Sequence, residues 1–310
     1  MRNQEIVVSI KCLIYNHEQY IRQCLDGIVM QKTNFCFEAI VHDDASTDSS
    51  AAIIREYAEK YPHIIKPIYE TENQYSKRDG SLTRIMNAAC KGKYIAVCEG
   101  DDYWIDPLKL QKQVDILESD NGIMLVHTGF KTINEFGDNI SWPKYQRFRK
   151  ISKKEKGILS LWNKNHIMTL TTMFRKEVIT SELLENSPYR YDYASFFTAA
   201  LMGKIKYLPC VTAAYRKTPT GAMQSRTDIV NKHLYEIYRY YLKYYLKNEE
   251  NIPYVKYLET MFYMLTNVIY NKDKETLRLL LENNSLSIIV FPISWMYAMV
   301  KKIKNRQFKL

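Results

Sequence analysis

Two groups of acidic residues have the types and spacing to do chemistry in this chain of 310 residues: Asp43-Asp44, and Glu99-Gly100-Asp101-Asp102. Each follows a short apolar run, Ala39-Ile40-Val41 in the first case and Ile95-Ala96-Val97-Cys98 in the second. Where such runs are parallel strands, ligands bind beyond their carboxyl ends, so both groups fall on one rim of a sheet. Carboxylates on one rim repel each other and cannot hold an anion unaided. They make sense if one group grips a divalent cation, Mn2+ or Mg2+, that bridges to a phosphate-bearing ligand through hard oxygen donors. The other group can then accept hydrogen bonds from ribose hydroxyls or a base N–H. The plainer alternatives are a strand-end cap for Asp43-Asp44 and an exposed acidic turn for Asp101-Asp102.

The elements that would position these acids are legible as alternating patterns. Ile6–Ile10 reads as a strand, and Ile21, Leu25, Ile28 and Val29 recur at helical spacing. Glu38–Asp44 is a second strand, and Ser46 is a candidate N-cap for a helix from about Asp48 to Lys60. Ile64–Tyr69 reads as a third strand, Leu82–Cys90 as a helix and Tyr94–Cys98 as a fourth strand. Pro107 opens an amphipathic helix to Glu118, and Met124–His127 is another strand. Further on, Ile167–Phe174 looks like a strand, Lys176–Glu185 like a helix, and an apolar helix runs to Met202. Short strands are expected at Ile205–Leu208 and Ala213–Tyr215, and helix from about Arg226. Strands alternating with helices predict an α/β fold with a mostly parallel, Rossmann-like sheet flanked by helices.

Composition narrows the class. With 46% apolar and 25% charged residues the chain is globular rather than disordered or fibrous. No apolar run reaches the ~18 residues of a spanning helix, and the first residues lack a signal-peptide core, which predicts a cytoplasmic protein. The six cysteines show no metal-ligand spacing and read as reduced core thiols, and His17, His127 and His166 read as ordinary turn or core residues. The net charge of +10 is concentrated in Lys144–Lys156 (seven Lys/Arg, one Glu) and Lys301–Lys309 (five Lys/Arg, no acid). The remainder is near-neutral, which argues against a nucleic-acid partner. A dinucleotide site needs Gly-x-Gly-x-x-Gly after the first strand, yet no glycine stands between Ile10 and Gly27, and no Walker-type loop is present.

Three segments in this order resemble the family 2 glycosyltransferases of GT-A fold: Val7–Tyr20, Ile40–Asp48 and Cys98–Trp104. The resemblance covers about residues 5–220 and implies inverting transfer of one sugar from a nucleotide-sugar donor, a uridine-diphosphate sugar first among them, with Mn2+ or Mg2+. It implies that Tyr15 packs on the donor base, that Asp44 binds the base with Asp43 beside it, and that Asp101 and Asp102 meet the metal. Glu99 stands where Asp is more usual, and Arg78 and Arg84 fall in the stretch that approaches the donor. The catalytic base matches Asp192, with a helix N-cap as its structural alternative. Thr218 replaces a histidine that follows Tyr-Arg-x in many members, leaving Arg216 and Lys217 to offset phosphate charge.

The resemblance further implies a glycan or lipid-linked glycan acceptor in bacterial surface polysaccharide assembly. It divides the chain into a catalytic domain, residues 1–220 (nucleotide-sugar half about 1–130, acceptor half about 131–220), and a helical region, 221–310. The apolar stretch Leu286–Val300 followed by Lys301–Arg306 suits an interfacial helix, peripheral on the inner face of the plasma membrane, or a helix docked on the catalytic domain. The competing function is a catalytically inactive nucleotide-sugar-binding protein of the same fold.

Overall fold

In a computed structural model, residues 5–141 and 165–218 are described throughout, with Ile158, Leu161 and scattered positions from His233 to Tyr244. The chain divides into two compact units, Met1–Gly157 with His166–Ile237, and Ile158–Asn165 with Tyr238–Leu310. The basic stretch Lys144–Lys156, the apolar tail and the expected boundary after Thr218 lie outside the described residues. Among the described residues no helix is long and apolar enough to cross a membrane.

The first unit carries one eight-stranded sheet: β1 (Ile6–Ile14), β2 (Cys36–Asp43), β3 (Ile65–Tyr69), β4 (Tyr94–Val97), β5 (Tyr103–Trp104), β6 (Ile123–Ile133), β7 (Thr172–Arg175) and β8 (Lys204–Arg216). Their spatial order is β3-β2-β1-β4-β7-β6-β8-β5. β1 lies parallel between β2 and β4, β3 is parallel to β2, and β8 is parallel to β6. Only β7, wedged between β4 and β6, and the short β5 run against their neighbours. The flanking helices are α1 (Ile21–Val29), α2 (Ser50–Lys60), α3 (Gln74–Lys77), α4 (Ser81–Ala89), α5 (Lys109–Ser119), α6 (Lys176–Ile179), α7 (Glu182–Glu185) and α8 (Asp192–Met202). The carboxyl ends of β1, β2 and β4 therefore meet side by side, as the alternating pattern requires.

Several boundaries differ from the sequence expectation, each for a local reason. Helix α2 begins at Ser50 rather than near Asp48, because the Ser46 hydroxyl accepts from the Asn16 amide (3.0 Å) and is not a cap. The strand expected from Ile167 starts only at Thr172, after a 3-10 turn over Thr169–Thr171. The helix expected over Lys176–Glu185 is two short ones, split where the Ser181 hydroxyl accepts from the Leu184 amide at 3.3 Å and starts a new turn. The two short strands after Lys204 are one strand, whose register slips opposite Thr128–Gly129, close to Pro209, which has no N–H to give.

The core fills from the apolar faces of these elements. Ile10, Ile14, Leu25, Ile28, Val41 and Trp104 are all essentially inaccessible to water. Three thiols stack within this layer: Cys12 Sγ lies 3.6 Å from Cys24 Sγ, which lies 3.7 Å from Cys98 Sγ and 3.4 Å from the Glu99 carbonyl oxygen. All six cysteines are free thiols, as expected, although Cys36 and Cys210 are only partly buried. Helix α1 crosses β5 at Gly27, where a Cβ would fall 2.8 Å from the Trp104 carbonyl oxygen and 2.9 Å from its nitrogen.

Behind Trp104 sits a fully buried amine. Lys109 Nζ lies 4.5 Å from the Trp104 ring centroid and donates to Gln113 Oε1, and burial pushes its pKa down to about 7. Between about pH 7 and the ordinary lysine value the unfolded chain holds a proton that the folded chain does not, so stability rises with pH across that window. Thermal melts of the wild type are expected to shift upward from pH 7 to pH 10, and those of Lys109→Met to shift upward by less, the remainder coming from the buried amine of Lys11; parallel profiles would disprove the buried neutral amine at Lys109. Gly27→Ala is expected to cost about 1–3 kcal/mol by overpacking, read as a lower urea midpoint at unchanged slope.

Candidate active site

The rim is built from two loops laced together. After β1, Tyr15 stands half exposed, and Asn16 turns the chain with φ 53°. Asn16 Oδ1 accepts from the Thr47 amide at 2.8 Å, Asp48 Oδ2 from the Glu18 amide at 2.9 Å, and Glu18 Oε2 from the Ser49 amide at 3.0 Å. The run Asp43–Ser50 thus spends its small polar side chains on the β1–α1 loop. Ala45 takes φ 63°, a left-handed conformation that costs a non-glycine residue of order 1–2 kcal/mol and lies immediately after the paired acids.

Asp43 and Asp44 are both buried. Asp44 Oδ1 accepts from the Gln74 amide at 2.7 Å and Oδ2 from the Tyr75 amide at 3.0 Å, so its carboxylate holds the first turn of α3. A carboxylate offers about four lone-pair sites, and each oxygen keeps one for a ligand donor. Asp43 Oδ1 is buried without a hydrogen-bond partner. Buried polar atoms are nearly always paired, so this one invites a donor from outside the chain.

The second group lies beyond β4. Oxygen atoms of Glu99, Asp101 and Asp102 all come within 4.8 Å of one another. Arg216 secures the group from the distant strand β8: its amide donates to Asp102 Oδ1 at 2.7 Å and its Nε to the Asp101 carbonyl oxygen at 2.9 Å. The rest of that guanidinium is occupied by the Asn134 and Glu135 carbonyls and by Gln23, beneath the ring of Tyr20. Arg216 is buried by these contacts, so it braces the acidic turn rather than meeting a phosphate. Thr218, at the expected histidine position, is likewise buried. Burial first, and then the neighbouring acids, raise the Glu99 and Asp102 carboxyls well above the usual range, with Asp192 the first acid acting on Glu99. Three clustered hard oxygen donors whose charges oppose one another are a set that could hold a divalent cation.

His17, read from sequence as an ordinary turn residue, lies against this group. A Cβ on Gly100 would come 2.6 Å from His17 Nδ1, and that nitrogen is buried without a partner. His127 and His166 are core residues, as expected.

Asp192 is the first residue of α8, one position past the N-cap Tyr191, and its Oδ2 accepts from the Thr169 hydroxyl at 2.6 Å. Protein atoms packed around it raise its carboxyl above the ordinary range. Thr169 and the ammonium of Lys11 pull in the opposite direction. Lys11 donates to Asn87 Oδ1, and burial lowers its pKa to about 8. Tyr75 ties the rim together: its amide holds Asp44 while its phenol, raised first by burial, feels Tyr191, Asp192, Arg78 and Glu99. Asp44, Glu99 and Asp192 therefore lie around Tyr75 on one rim. Arg78, with φ 54°, lies near the phenols of Tyr75 and Tyr191, whereas Arg84 is exposed on α4 and donates to the Asp79 carbonyl oxygen at 2.9 Å.

Sequence reasoning passed over Lys11, Tyr75 and Thr169. Only Lys11 carried a signal, a lone cation within an apolar strand, because the other two are defined by contacts with remote residues. Thr169→Val removes a hydroxyl that favours the charged carboxylate, so the Asp192 pKa is expected to rise further. Carboxyl-carbon NMR titration reads this directly, and an unmoved resonance would contradict the assigned contact.

A half-parallel sheet with acids at the ends of β2 and β4 and a carboxylate opposite them defines a GT-A-type α/β fold. Residues 9–181 match the family described as Glycosyl transferase family 2, and the chain belongs to that family. An uncharacterized protein of Mycobacterium tuberculosis is 35% identical over 219 residues, covering 70% of this chain and 61% of that protein, so the chain spans about three fifths of the relative's length. Among solved structures, Staphylococcus aureus TarS 1–349 in complex with UDP-GlcNAc aligns with TM-score 0.62 at 18% identity, over 94% of this chain and 79% of that one. The mannosyltransferase PcManGT from Pyrobaculum calidifontis, in complex with GDP-Man and Mn2+, aligns with TM-score 0.53 at 17% identity, over 98% of this chain and 88% of that one.

Proposed function

We propose that this chain is an inverting glycosyltransferase that moves one sugar from a nucleoside-diphosphate sugar, with uridine diphosphate as the expected carrier, to a hydroxyl of a glycan acceptor. The observation that carries this reading is the shared rim: Tyr75 links Asp44 to Asp192, and Asp192 acts electrostatically on Glu99. Inversion is a single displacement, so a base must take the acceptor proton on the face opposite the departing diphosphate. Asp192 suits that task. Burial raises its carboxyl above the ordinary range, which makes it a better proton acceptor, while Thr169 and Lys11 favour its charged form.

At the donor end, Tyr15 offers a ring to the base, and Asp44 and Asp43 offer acceptors to its N–H or to ribose hydroxyls. Asp101 and Asp102, with Glu99 beside them, would hold Mn2+ or Mg2+. A divalent cation there supplies positive charge that stabilises the leaving diphosphate. The family resemblance supports a glycan or lipid-linked acceptor in bacterial surface polysaccharide assembly, at the inner face of the plasma membrane.

A screen of nucleotide sugars that measures released nucleoside diphosphate, with and without chelator, tests the reading. Release is expected with a UDP-sugar and to be lost on chelation. Asp192→Asn is expected to lower turnover by at least about a hundredfold while leaving UDP affinity unchanged. Turnover that survives this substitution would remove Asp192 from the role of base. A chain that binds the nucleotide without turnover on any donor would instead be an inactive binder.

A further inference from the structure

Tyr75 is 56% exposed, and among the described residues its ring stacks on nothing and its hydroxyl makes no hydrogen bond. Tyr69, the exposed tyrosine of β3, differs in having the Arg55 guanidinium 4.9 Å from its ring centroid. The Tyr75 backbone is nevertheless pinned. Its amide donates to Asp44 Oδ2 at 3.0 Å, and its carbonyl oxygen accepts from the Arg78 amide at 3.3 Å. Asn73 Oδ1 caps the same turn by accepting from the Ser76 amide at 2.8 Å. A tyrosine on a fixed backbone has only two side-chain torsions left to lose, so contact with a ligand costs it little ordering.

A lone exposed ring is ordinary on a protein surface. This one stands among polar groups. Burial first, and then Tyr191 and Asp192 ahead of Glu99, raise its phenol, which places the hydroxyl end beside Tyr191 and Asp192. Tyr191 is itself held from outside the sheet: its hydroxyl shares a hydrogen bond with His233 Nδ1 at 2.9 Å, and the His233 ring stacks on Tyr189 with centroids 3.7 Å apart. Open aromatic surface with a few convergent polar groups is the make-up of a ligand site. A pyranose suits it in kind. Its face of C–H groups settles on the electron-rich face of an aromatic ring, and the hydroxyls at its edge donate to carboxylates. Two carboxylates and one cation, Arg78, act on the phenol, so an anion gains no net attraction there. An open-chain polyol has no rigid apolar face to lay on the ring.

We propose that Tyr75 is a stacking platform for a pyranose ring of the acceptor, which presents its attacking hydroxyl to Asp192, an assignment that rests on the transferase reading above. Tyr75 then sets specificity, by favouring a neutral cyclic sugar at the accepting end over a flexible chain. Tyr191, steadied by His233, offers that sugar a polar contact beside the base. The transferred sugar of the donor has the same kind of face, so the experiment separates the two sources.

Methyl glycosides of glucose, galactose, mannose and N-acetylglucosamine serve as probes, with open-chain glucitol as the control. Each is titrated into the full chain, with and without saturating UDP and Mn2+, and followed by ligand-observed NMR. At least one methyl pyranoside is expected to bind the UDP-loaded protein about fivefold or more tightly than glucitol. Tyr75→Leu should weaken that binding about fivefold or more, while Tyr75→Phe retains it. UDP affinity should hold in both variants, because the backbone amide on Asp44 is untouched. Binding of no pyranoside, or equal binding by wild type and Tyr75→Leu, overturns the platform. Tyr75→Leu that keeps pyranoside binding but loses affinity for UDP-glucose relative to UDP assigns the ring to the donor sugar and likewise overturns it. Should UDP fail to bind at all, the transferase reading fails. The platform is then decided by the nucleotide-free arm, where pyranoside binding that needs the Tyr75 ring supports a sugar site and binding indifferent to it refutes one.

Discussion

Six carboxylates gathered on one rim repel one another, and much of this fold is arranged to hold them there regardless. Two unit charges about 4 Å apart oppose each other by roughly 4 kcal/mol at the effective dielectric of a protein surface. That is a sizeable share of a domain's net stability. Charge is offset from several directions: the Arg216 amide on Asp102, the Gln74 and Tyr75 amides on Asp44, and the Thr169 hydroxyl and Lys11 ammonium at Asp192. Glu99 and Asp102 keep raised carboxyl values, a sign that the offset is incomplete until a positive group arrives.

The backbone is fitted to the same end. Asn16, Ala45 and Arg78 are the non-glycine residues with positive φ among those described; the first two lie in the loops after β1 and β2, and Arg78 lies near Tyr75. Strain of this kind persists only where surrounding contacts over-determine it. The interlocked loops after β1 and β2 do so at Asn16 and Ala45, which fixes Tyr15 and the paired acids relative to each other. Gly27 lets α1 approach β5 closely enough to place the chain that follows Asp102.

The two acidic groups of this arrangement were readable from residue order because their signals are local. Apolar runs ending in acids mark strand ends, and parallel strands bring those ends together whatever their sequence separation. The braces were not readable. Arg216 stands 114 residues from Asp102, and Thr169 stands 23 from Asp192, pairings that exist only once β8 and α8 have taken their places. The same limit explains the boundary differences. Ser46 has the chemistry of an N-cap, but a stronger claim from Asn16 redirects its hydroxyl, and Ser181 splits a helix by a side-chain bond that periodicity does not register.

The stacked thiols under the acidic turn have an experimental corollary. Contact with neighbouring sulfur and burial raise the Cys24 thiol, and burial foremost raises that of Cys98, so neither offers a ready thiolate to an alkylating reagent. Labelling of these two positions can proceed only when α1 lifts from the sheet. Their modification rate is therefore a clock for the opening of the layer that supports Glu99, independent of whether the cleft above is filled.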